Sequence, residues 1–237
     1  MTTPALTDFD TLTFDCYGTL VDWERGILAA AHQALDGTPG ATGLGADDER
    51  LLDLYARFEA QAEAGPYLPY RQVLAHVLRG MAGELGVEPT PAAVERFSAS
   101  VGDWPPFPDS AAALGRLAGR YRLGVITNCD TDLFARTNER LGIRFDWVIT
   151  AQQLGSYKPN PRNFELALDQ IGGRRDRHLH VAQSLFHDHV PAQALGLRTV
   201  WIDRRHGRPG SGASLPATVT PDFVFPDMAS FAAAAIG

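Results

Sequence analysis

Residues 8–20 of the chain read DFDTLTFDCYGTL. In this stretch Leu12 and Phe14 alternate with small polar residues, and the alternation stops at Asp15, shortly before Gly18. The pattern predicts a buried β-strand that ends in a tight turn. Asp15 should therefore lie at the carboxyl end of the strand, where open α/β sheets place their ligands. A carboxylate at that position can serve as a nucleophile, a metal ligand or a turn cap.

The next part of the chain has the apolar spacing of helices. Between residues 23 and 100 the apolar residues recur at helical intervals, which predicts a series of amphipathic helices. Asp47 and Asp48 suit the start of one helix, and the pair Thr90 and Pro91 suits the start of the last. Residues 37–45 are rich in glycine and predict a flexible loop between the first two helices.

Beyond residue 104, predicted helices and strands alternate along the chain. The turn-prone stretch WPPFPD, residues 104–109, separates this part from the helices before it. The predicted strands are residues 122–127, 147–150, 179–182, 199–202 and 223–225, and the predicted helices are residues 110–118, 132–141, 161–171, 189–195 and 228–236. Such an alternation predicts an α/β fold, with a parallel sheet and helices on both of its faces. Residues 207–221 are rich in Gly, Pro and Ser and predict a loop.

Composition and charge limit the classes of partner. The 237 residues carry a formal net charge of −7 and contain no run of basic residues, which argues against nucleic acid or an anionic membrane as a partner. No apolar stretch approaches the ~20 residues that span a bilayer. The first residues lack the regions of a signal peptide, and Cys16 and Cys129 are too few for a disulfide framework. We therefore expect a reduced, cytoplasmic protein.

Four motifs occur in the order that one family requires. Residues 15–20, DCYGTL, resemble the first motif of the haloacid dehalogenase-like hydrolase superfamily. The later motifs are GVITN at residues 124–128, YKP at residues 157–159, and VAQS at residues 181–184 followed by Asp188. The resemblance implies a Rossmann-like core of residues 1–20 and 105–237, with an inserted α-helical cap domain of residues 21–104. In this family the cap closes over the site and excludes water.

Two positions depart from the phosphatases of this superfamily. Those enzymes carry a second Asp where this chain has Tyr17, which ionises only near pH ~10. They also hold Mg²⁺ with an acid where this chain has Gln183, although Mg²⁺ prefers anionic oxygen ligands. The chain therefore resembles the metal-free (S)-2-haloacid dehalogenase (type II) branch, which implies neither a metal nor another cofactor. It departs from that branch at Phe164, where the dehalogenases usually have Tyr.

The resemblance assigns roles to individual residues. Asp15 would attack the halogen-bearing carbon of a short 2-haloacid and displace halide, and water would hydrolyse the resulting aspartyl ester. Lys158 would lower the pKa of Asp15 and hold it in attack geometry. The predicted catalytic residues are Asp15, Thr19, Lys158 and Asp188. The residues predicted to bind the substrate, a small anionic organic acid, are Cys16, Tyr17, Arg57, Thr127, Asn128 and Ser184.

The sequence leaves alternatives open. Asp188 could instead N-cap the helix that follows it. Arg71 and Arg25 compete with Arg57 as the cap arginine that grips the halogen. The number of histidines close together in the sequence suggests by itself a metal site formed by His178, His180, His187 and His189. For the whole protein, the alternatives are a Mg²⁺-dependent small-molecule phosphatase and a family member that binds a ligand without turnover. Capped hydrolases of this kind are often dimers, which leaves a homodimer open.

Overall fold

The computed structural model describes residues 4–35, 47–206 and 213–237 of the chain. The predicted glycine-rich loop at residues 37–45 lies outside these ranges, as do residues 207–212 of the predicted loop at residues 207–221. Within the described ranges, no helix is both long enough and apolar enough to cross a membrane.

The described residues form one sheet of parallel strands, which confirms the predicted fold class. Its strands are β1 (Thr11–Phe14), β2 (Arg122–Thr127), β3 (Trp147–Thr150), β4 (His178–Ala182), β5 (Arg198–Ile202) and β6 (Phe223–Phe225). They lie in the order β3-β2-β1-β4-β5-β6, so the direction of the winding reverses between β1 and β4. Phe14 pairs with Val125 of β2 and Val181 of β4, which brings Asp15 level with the ends of both neighbours. Sheets of this kind bind ligands at such a switch point.

Helices occupy the segments between the strands. The inserted helices, which lie between β1 and β2 in the chain, are α1 (Trp23–Leu35), α2 (Asp48–Glu63), α3 (Tyr70–Glu84) and α4 (Pro91–Ala99). The core helices are α5 (Ser110–Ala118), α6 (Thr131–Leu141), α7 (Ala151–Leu154), α8 (Pro161–Ile171), α9 (Val190–Ala194) and α10 (Met228–Ile236). The division into a core of residues 1–20 and 105–237 and a cap of residues 21–104 stays a prediction.

Two apolar clusters cover opposite faces of the sheet. Val125 and Ile126 are consecutive in β2, so their side chains point to opposite faces. Val125 belongs to the large cluster that includes side chains of α5, α6, α10 and the inserted helices. Ile126 belongs to the smaller cluster with Phe164 of α8 and Ala192 of α9. The sheet is therefore buried on both faces, as parallel sheets usually are.

The inserted helices are tied to the core at the start of α3. The buried carboxylate of Asp130, in the loop after β2, accepts hydrogen bonds from the backbone N–H groups of Tyr70 at 2.9 Å and Arg71 at 3.1 Å. The first turn of a helix has unpaired N–H groups and a partial positive charge. A carboxylate at this position accepts hydrogen bonds from those N–H groups and interacts favourably with the charge. This contact holds α3, and α2 packed against it, over the carboxyl ends of the strands.

Candidate active site

The ends of β1, β2 and β4 meet at one small cavity. Its volume is about 30 Å³. Since a water needs roughly 10–15 Å³ of such space, the wall must move before an organic substrate can enter. The core residues that line it include Asp15, Tyr17, Asn128, Lys158, Ser184 and Asp188, all of them predicted from the sequence.

Asp15 directly follows β1 and is buried, with 6% of its surface exposed. Its Oδ1 accepts a hydrogen bond from the Lys158 ammonium at 2.8 Å, and its Oδ2 accepts one from the Thr19 hydroxyl at 2.7 Å. The Thr19 oxygen in turn accepts from the backbone N–H of Gln183 at 2.9 Å, which fixes the direction in which the hydroxyl donates. Both oxygens of Asp15 are therefore held by donors.

The turn after Asp15 depends on a glycine. Gly18 has φ +93°, in the region that side chains other than glycine rarely adopt. A Cβ at this position would lie 3.0 Å from the Trp23 ring. The absence of a side chain thus lets the chain turn back and brings Trp23 of α1 against the cavity.

Lys158 is the only lysine of the chain and is 1% exposed. Its Nζ donates to Oδ1 of Asp15 at 2.8 Å, to Oδ1 of Asp188 at 2.7 Å and to the carbonyl of Ile126 at 2.9 Å. These three bonds use every hydrogen of the ammonium group. One cation therefore joins the two predicted catalytic carboxylates.

Asp188 lies in a π-helical turn, Leu185–His189, between β4 and α9. Its Oδ1 accepts from Lys158 and lies 3.0 Å from Nε2 of His180. The alternative that Asp188 N-caps the following helix is wrong, because His189 is the N-cap residue of α9 and neither carboxylate oxygen of Asp188 accepts from a backbone N–H of that helix. Oδ2 of Asp188 is buried and has no hydrogen-bond partner among the described residues, so it is free to accept one from a water.

Burial and charge shift three pKa values at this site. Burial raises the pKa of Asp15 above its usual range, while Lys158 opposes the rise and Asp188 adds to it. Burial also acts to raise the pKa of Asp188, but Lys158 and His180 outweigh it and hold that pKa well below its usual range. Burial disfavours the charge of Lys158, yet the two carboxylates raise its pKa. Lys158 thus lowers the pKa of Asp15, as predicted, but burial outweighs this effect and the net pKa is raised.

A buried chain of polar groups continues behind Asp188. Oγ1 of Thr13 lies 2.7 Å from Nε2 of His178 and 2.9 Å from Nδ1 of His180. The ring of Phe164 packs edge-on against His180, with the ring centroids 4.9 Å apart. The phenylalanine that stands where dehalogenases usually have tyrosine thus packs against the histidine that contacts Asp188.

Asn128 holds the backbone of Lys158. Its Oδ1 accepts from the Lys158 N–H at 2.8 Å, and its Nδ2 donates to the Lys158 carbonyl at 2.9 Å. Nδ2 also lies 3.4 Å from Oε2 of Glu63, on α2. The Asn128 amide therefore positions the backbone of Lys158, and its predicted contact with substrate stays a prediction.

Tyr17 and Ser184 line the cavity, but their hydroxyls bond within the protein. The Tyr17 hydroxyl lies 2.9 Å from Oγ1 of Thr137 and accepts from Sγ of Cys129 at 3.4 Å. Burial raises the pKa of Tyr17 well above its usual range, so the phenol stays protonated at neutral pH. Oγ of Ser184 lies 2.9 Å from Oγ of Ser214.

Three residues predicted to bind substrate, namely Cys16, Arg57 and Thr127, are not among the described residues that line this cavity. Arg57 pairs with Glu84 of α3 at 2.7 Å and is half-exposed. A helix has about 3.6 residues per turn, so Arg57 and Glu59, two positions apart, point to nearly opposite sides of α2. Cys16 is fully buried within the turn, and Thr127 is 2% exposed at the end of β2.

The two rival arginines also lie elsewhere. Arg71 donates to both carboxylate oxygens of Asp132, at 2.8 and 2.6 Å. Arg25 lines a separate cavity of about 580 Å³. Lys158 is thus the only Lys or Arg among the described residues that line the cavity beside Asp15.

The inserted helices supply the opposite wall through Trp23, Glu59 and Tyr70. Oε1 of Glu59 accepts from the hydroxyl of Tyr70 at 2.5 Å and from that of Tyr55 at 3.0 Å. The sequence prediction missed Glu59. A signal was present, because an acid four residues after Tyr55 falls on the apolar face of α2 and needs a reason to be buried.

The ionisation of Glu59 is expected to make stability depend on pH. Burial raises the pKa of Glu59 to about 7, so the folded protein holds this proton more tightly than the unfolded chain does. The contribution of this proton to the free energy of unfolding is fully present below the ordinary glutamate pKa of ~4.3. It is lost as the pH rises through the folded pKa, and the loss amounts to ~3 kcal/mol. Urea unfolding between pH 4 and 8 should therefore show a flatter pH dependence for Glu59→Gln than for the wild type.

The matched control for that measurement is Glu95→Gln, an exposed acid on α4. Its pH dependence should follow that of the wild type. Parallel curves for the wild type and Glu59→Gln would show that Glu59 does not retain a proton on folding.

The side chains around Asp15 do not suit Mg²⁺ as ligands. Asp15 and Asp188 share the ammonium of Lys158, and Gln183 supplies only a neutral amide where phosphatases have an acid. In the parts of the chain that the structure describes, no group of at least three His, Cys, Asp or Glu residues could hold a metal ion. The suggested histidine cluster does not form, since His187 contacts Ser184 and His189 contacts the carbonyl of Ala182.

Comparisons with known proteins place this site in context. A family model described as haloacid dehalogenase-like hydrolase matches residues 9–182. An (S)-2-haloacid dehalogenase from Pseudomonas putida is 26% identical over 200 residues, covering 83% of this chain and 85% of that protein. The pyrimidine 5'-nucleotidase YjjG of Escherichia coli (strain K12) is 31% identical over 118 residues, which span 48% of this chain and 52% of that relative. The crystal structure of the L-2-haloacid dehalogenase PA0810 aligns with a TM-score of 0.77 at 25% identity, over 95% of this chain and 98% of that one.

Proposed function

Since the chain belongs to the haloacid dehalogenase-like hydrolase family, we propose that it is a metal-independent dehalogenase. Its proposed substrates are short 2-haloacids. The observation that carries the proposal is the ammonium of Lys158, bonded at once to Asp15 and Asp188. A cation in that position keeps a buried carboxylate ionised without a metal.

In the first half-reaction, Asp15 acts as the nucleophile. A carboxylate oxygen of Asp15 attacks carbon 2 of the substrate from the side opposite the halogen. The new carbon–oxygen bond forms as the carbon–halogen bond breaks, and the halide leaves with the bonding electrons. Hydrogen bonds from Lys158 and Thr19 restrict rotation of the carboxylate, so little orientational freedom remains to be lost in the transition state.

In the second half-reaction, water hydrolyses the ester at the carboxyl carbon of Asp15. The free Oδ2 of Asp188 accepts a hydrogen bond from this water and orients it. One hydrogen of the water ends on the 2-hydroxy product, and the other leaves as a proton when Asp15 ionises again. Because the pKa of Asp188 is held low, we assign it an orienting role and not the storage of a proton.

The proposal predicts that dehalogenation does not depend on divalent metal. Purified protein should release halide from racemic 2-chloropropionate or 2-chloropropionamide at the same rate with and without excess EDTA. The measurement is halide release over time, with the protein-free rate subtracted. If the protein releases halide from neither compound, the proposal is overturned.

One relative favours a second candidate, a phosphatase. The 31% identity to a pyrimidine 5'-nucleotidase covers 118 residues of this chain. That reading predicts release of phosphate from nucleoside monophosphates that depends on added Mg²⁺ and stops with EDTA. The two candidates therefore give opposite responses to the chelator in the same assay series.

A further inference from the structure

A buried chain of three polar side chains leads to Asp188 from within the sheet. Thr13 of β1 pairs with His180 of β4, and His178 lies two residues before His180, so the three side chains share one face of the sheet. Oγ1 of Thr13 lies 2.7 Å from Nε2 of His178 and 2.9 Å from Nδ1 of His180. At the other end of the chain, Nε2 of His180 lies 3.0 Å from Oδ1 of Asp188. The polar chain therefore ends on the acid that orients water in the proposed reaction.

The surroundings of this polar chain are apolar. Thr13 and His180 have no exposed surface. The ring of Phe164 packs edge-on against His180, and Phe164 belongs to the apolar cluster on one face of the sheet. A polar side chain in such surroundings destabilises the fold unless it is hydrogen-bonded, so an apolar side chain would serve packing alone at least as well. Packing therefore does not explain why a histidine occupies position 180.

The charge of Asp188 fixes the direction of these hydrogen bonds. The pKa of Asp188 is held well below its usual range, so at neutral pH its carboxylate only accepts, and Nε2 of His180 donates to it. In the neutral ring Nδ1 is then an acceptor, and the Thr13 hydroxyl donates to it. Burial lowers the pKa of His178 to about 3, so this ring is neutral, and its Nε2–H donates to Oγ1 of Thr13. The chain thus holds His180 in the tautomer that presents an N–H group to Asp188.

Two donors hold the same oxygen of Asp188. The Lys158 ammonium donates to Oδ1 at 2.7 Å, and the His180 ring donates to it at 3.0 Å. Oδ2 has no hydrogen-bond partner among the described residues, so it is left for the water that hydrolyses the aspartyl ester. Without the second donor, the carboxylate would rotate more freely about its Cβ–Cγ bond. The N–H group of His180 therefore fixes which oxygen faces the water.

We propose that His180 is a positioning residue for the second half-reaction, in which its Nε2–H group holds Asp188 so that Oδ2 accepts from the hydrolytic water. The inference rests on the proposed function and adds one residue to its second step. In that step the water oxygen bonds to the carboxyl carbon of Asp15 as the ester bond to the substrate breaks, and one proton is released. His180 has no part in the departure of halide, which depends on Asp15 and Lys158.

The test follows the two half-reactions separately in a matched pair of variants. His180→Leu keeps nearly the volume of the ring but has no donor, whereas His180→Gln keeps an N–H group. With protein in excess over racemic 2-chloropropionate and with EDTA present, rapid quenching measures halide release for the first half-reaction and lactate formation for the second. Mass spectrometry of the quenched protein measures the fraction that carries the ester. The control is His76→Gln, which changes an exposed histidine of α3.

The expected defect lies in ester hydrolysis alone. Losing a hydrogen bond to a charged group should slow lactate formation about 10- to 100-fold in His180→Leu, while halide release keeps the wild-type rate. The ester should therefore accumulate on this variant. His180→Gln should recover most of the lost rate, and His76→Gln should match the wild type.

The opposite results are equally clear. If halide release falls as much as lactate formation in His180→Leu, if lactate formation keeps pace with halide release in that variant, or if His180→Gln is no faster, the inference is overturned and the dehalogenase proposal stands. If the wild type releases no halide, both are overturned. If His180→Leu does not fold, long-range ¹H–¹⁵N NMR spectra of the wild type decide the question: a hydrogen on Nε2 of His180 supports the inference, and a bare Nε2 overturns it.

Discussion

Replacing Asp15 with asparagine is expected to lower kcat for halide release by roughly 10⁴-fold or more, since loss of a nucleophile removes the covalent route altogether. Asparagine retains the shape of the side chain and can still accept from Lys158 and Thr19, so the fold should persist. The measurement is steady-state halide release, together with mass spectrometry of the protein after rapid quenching. The wild type should carry the added mass of the substrate without its halogen, a 1-carboxyethyl group for 2-chloropropionate, during turnover, and Asp15→Asn should not.

The control for this variant is Asp10→Asn. Asp10 lies close to Asp15 in sequence, but it is exposed and pairs with Arg177 at 2.7 Å. Its loss should leave halide release unchanged, because exposed ion pairs contribute little. A rate for Asp15→Asn within tenfold of the wild type, or a substrate adduct on that variant, would contradict the assignment of Asp15 as nucleophile.

Replacing Lys158 with methionine is expected both to abolish activity and to lower the free energy of unfolding by roughly 3–5 kcal/mol at pH 8. Methionine fills a similar volume but leaves the Asp15 and Asp188 carboxylates buried without their cation. The pKa of both acids should then rise. Since a raised folded pKa contributes stability that is lost as the pH increases, the deficit should shrink towards pH 4. Urea unfolding at pH 4, 6 and 8 measures both effects.

Two further variants make the Lys158 prediction specific. Arg162→Met removes an exposed cation at the start of α8 and should change stability by no more than ~0.5 kcal/mol. Lys158→Arg should not restore activity, because a planar guanidinium cannot reproduce the three-way bonding of a compact ammonium. A Lys158→Met protein as stable as the wild type at pH 8 would show that the carboxylates do not depend on this cation.

The core of the site follows from the sequence because of the geometry of parallel sheets. Asp15, Asn128 and Asp188 each come soon after a predicted strand, and the carboxyl ends of parallel strands meet at one edge. Short motifs near strand ends therefore converge in space whatever the length of chain between them. The resemblance of residues 157–159 to a family motif placed Lys158 beside Asp15, and the structure gives the contact as 2.8 Å.

The inserted helices show where such reasoning stops. Apolar spacing identified α2 as a helix, and its first turn begins at the predicted acids. The spacing did not reveal that Glu59, and not Arg57, lies on the side that faces the nucleophile. A helical pattern tells which residues share a face, but it does not tell which other element that face will meet.

The sequence by itself determined the α/β fold and, through its family motifs, that Asp15, Lys158 and Asp188 meet at the strand ends, because these depend on strand order and on motifs within single turns of chain. Only the tertiary structure decided the wall opposite Asp15 and the net pKa of Asp15, which burial raises although Lys158 lowers it as the motif predicted. Both depend on burial and on contacts between segments far apart in the chain, such as Glu59 with Tyr70 and Asn128 with Glu63. Those contacts arise from how α2 and α3 pack over the sheet, a property that local sequence patterns do not encode.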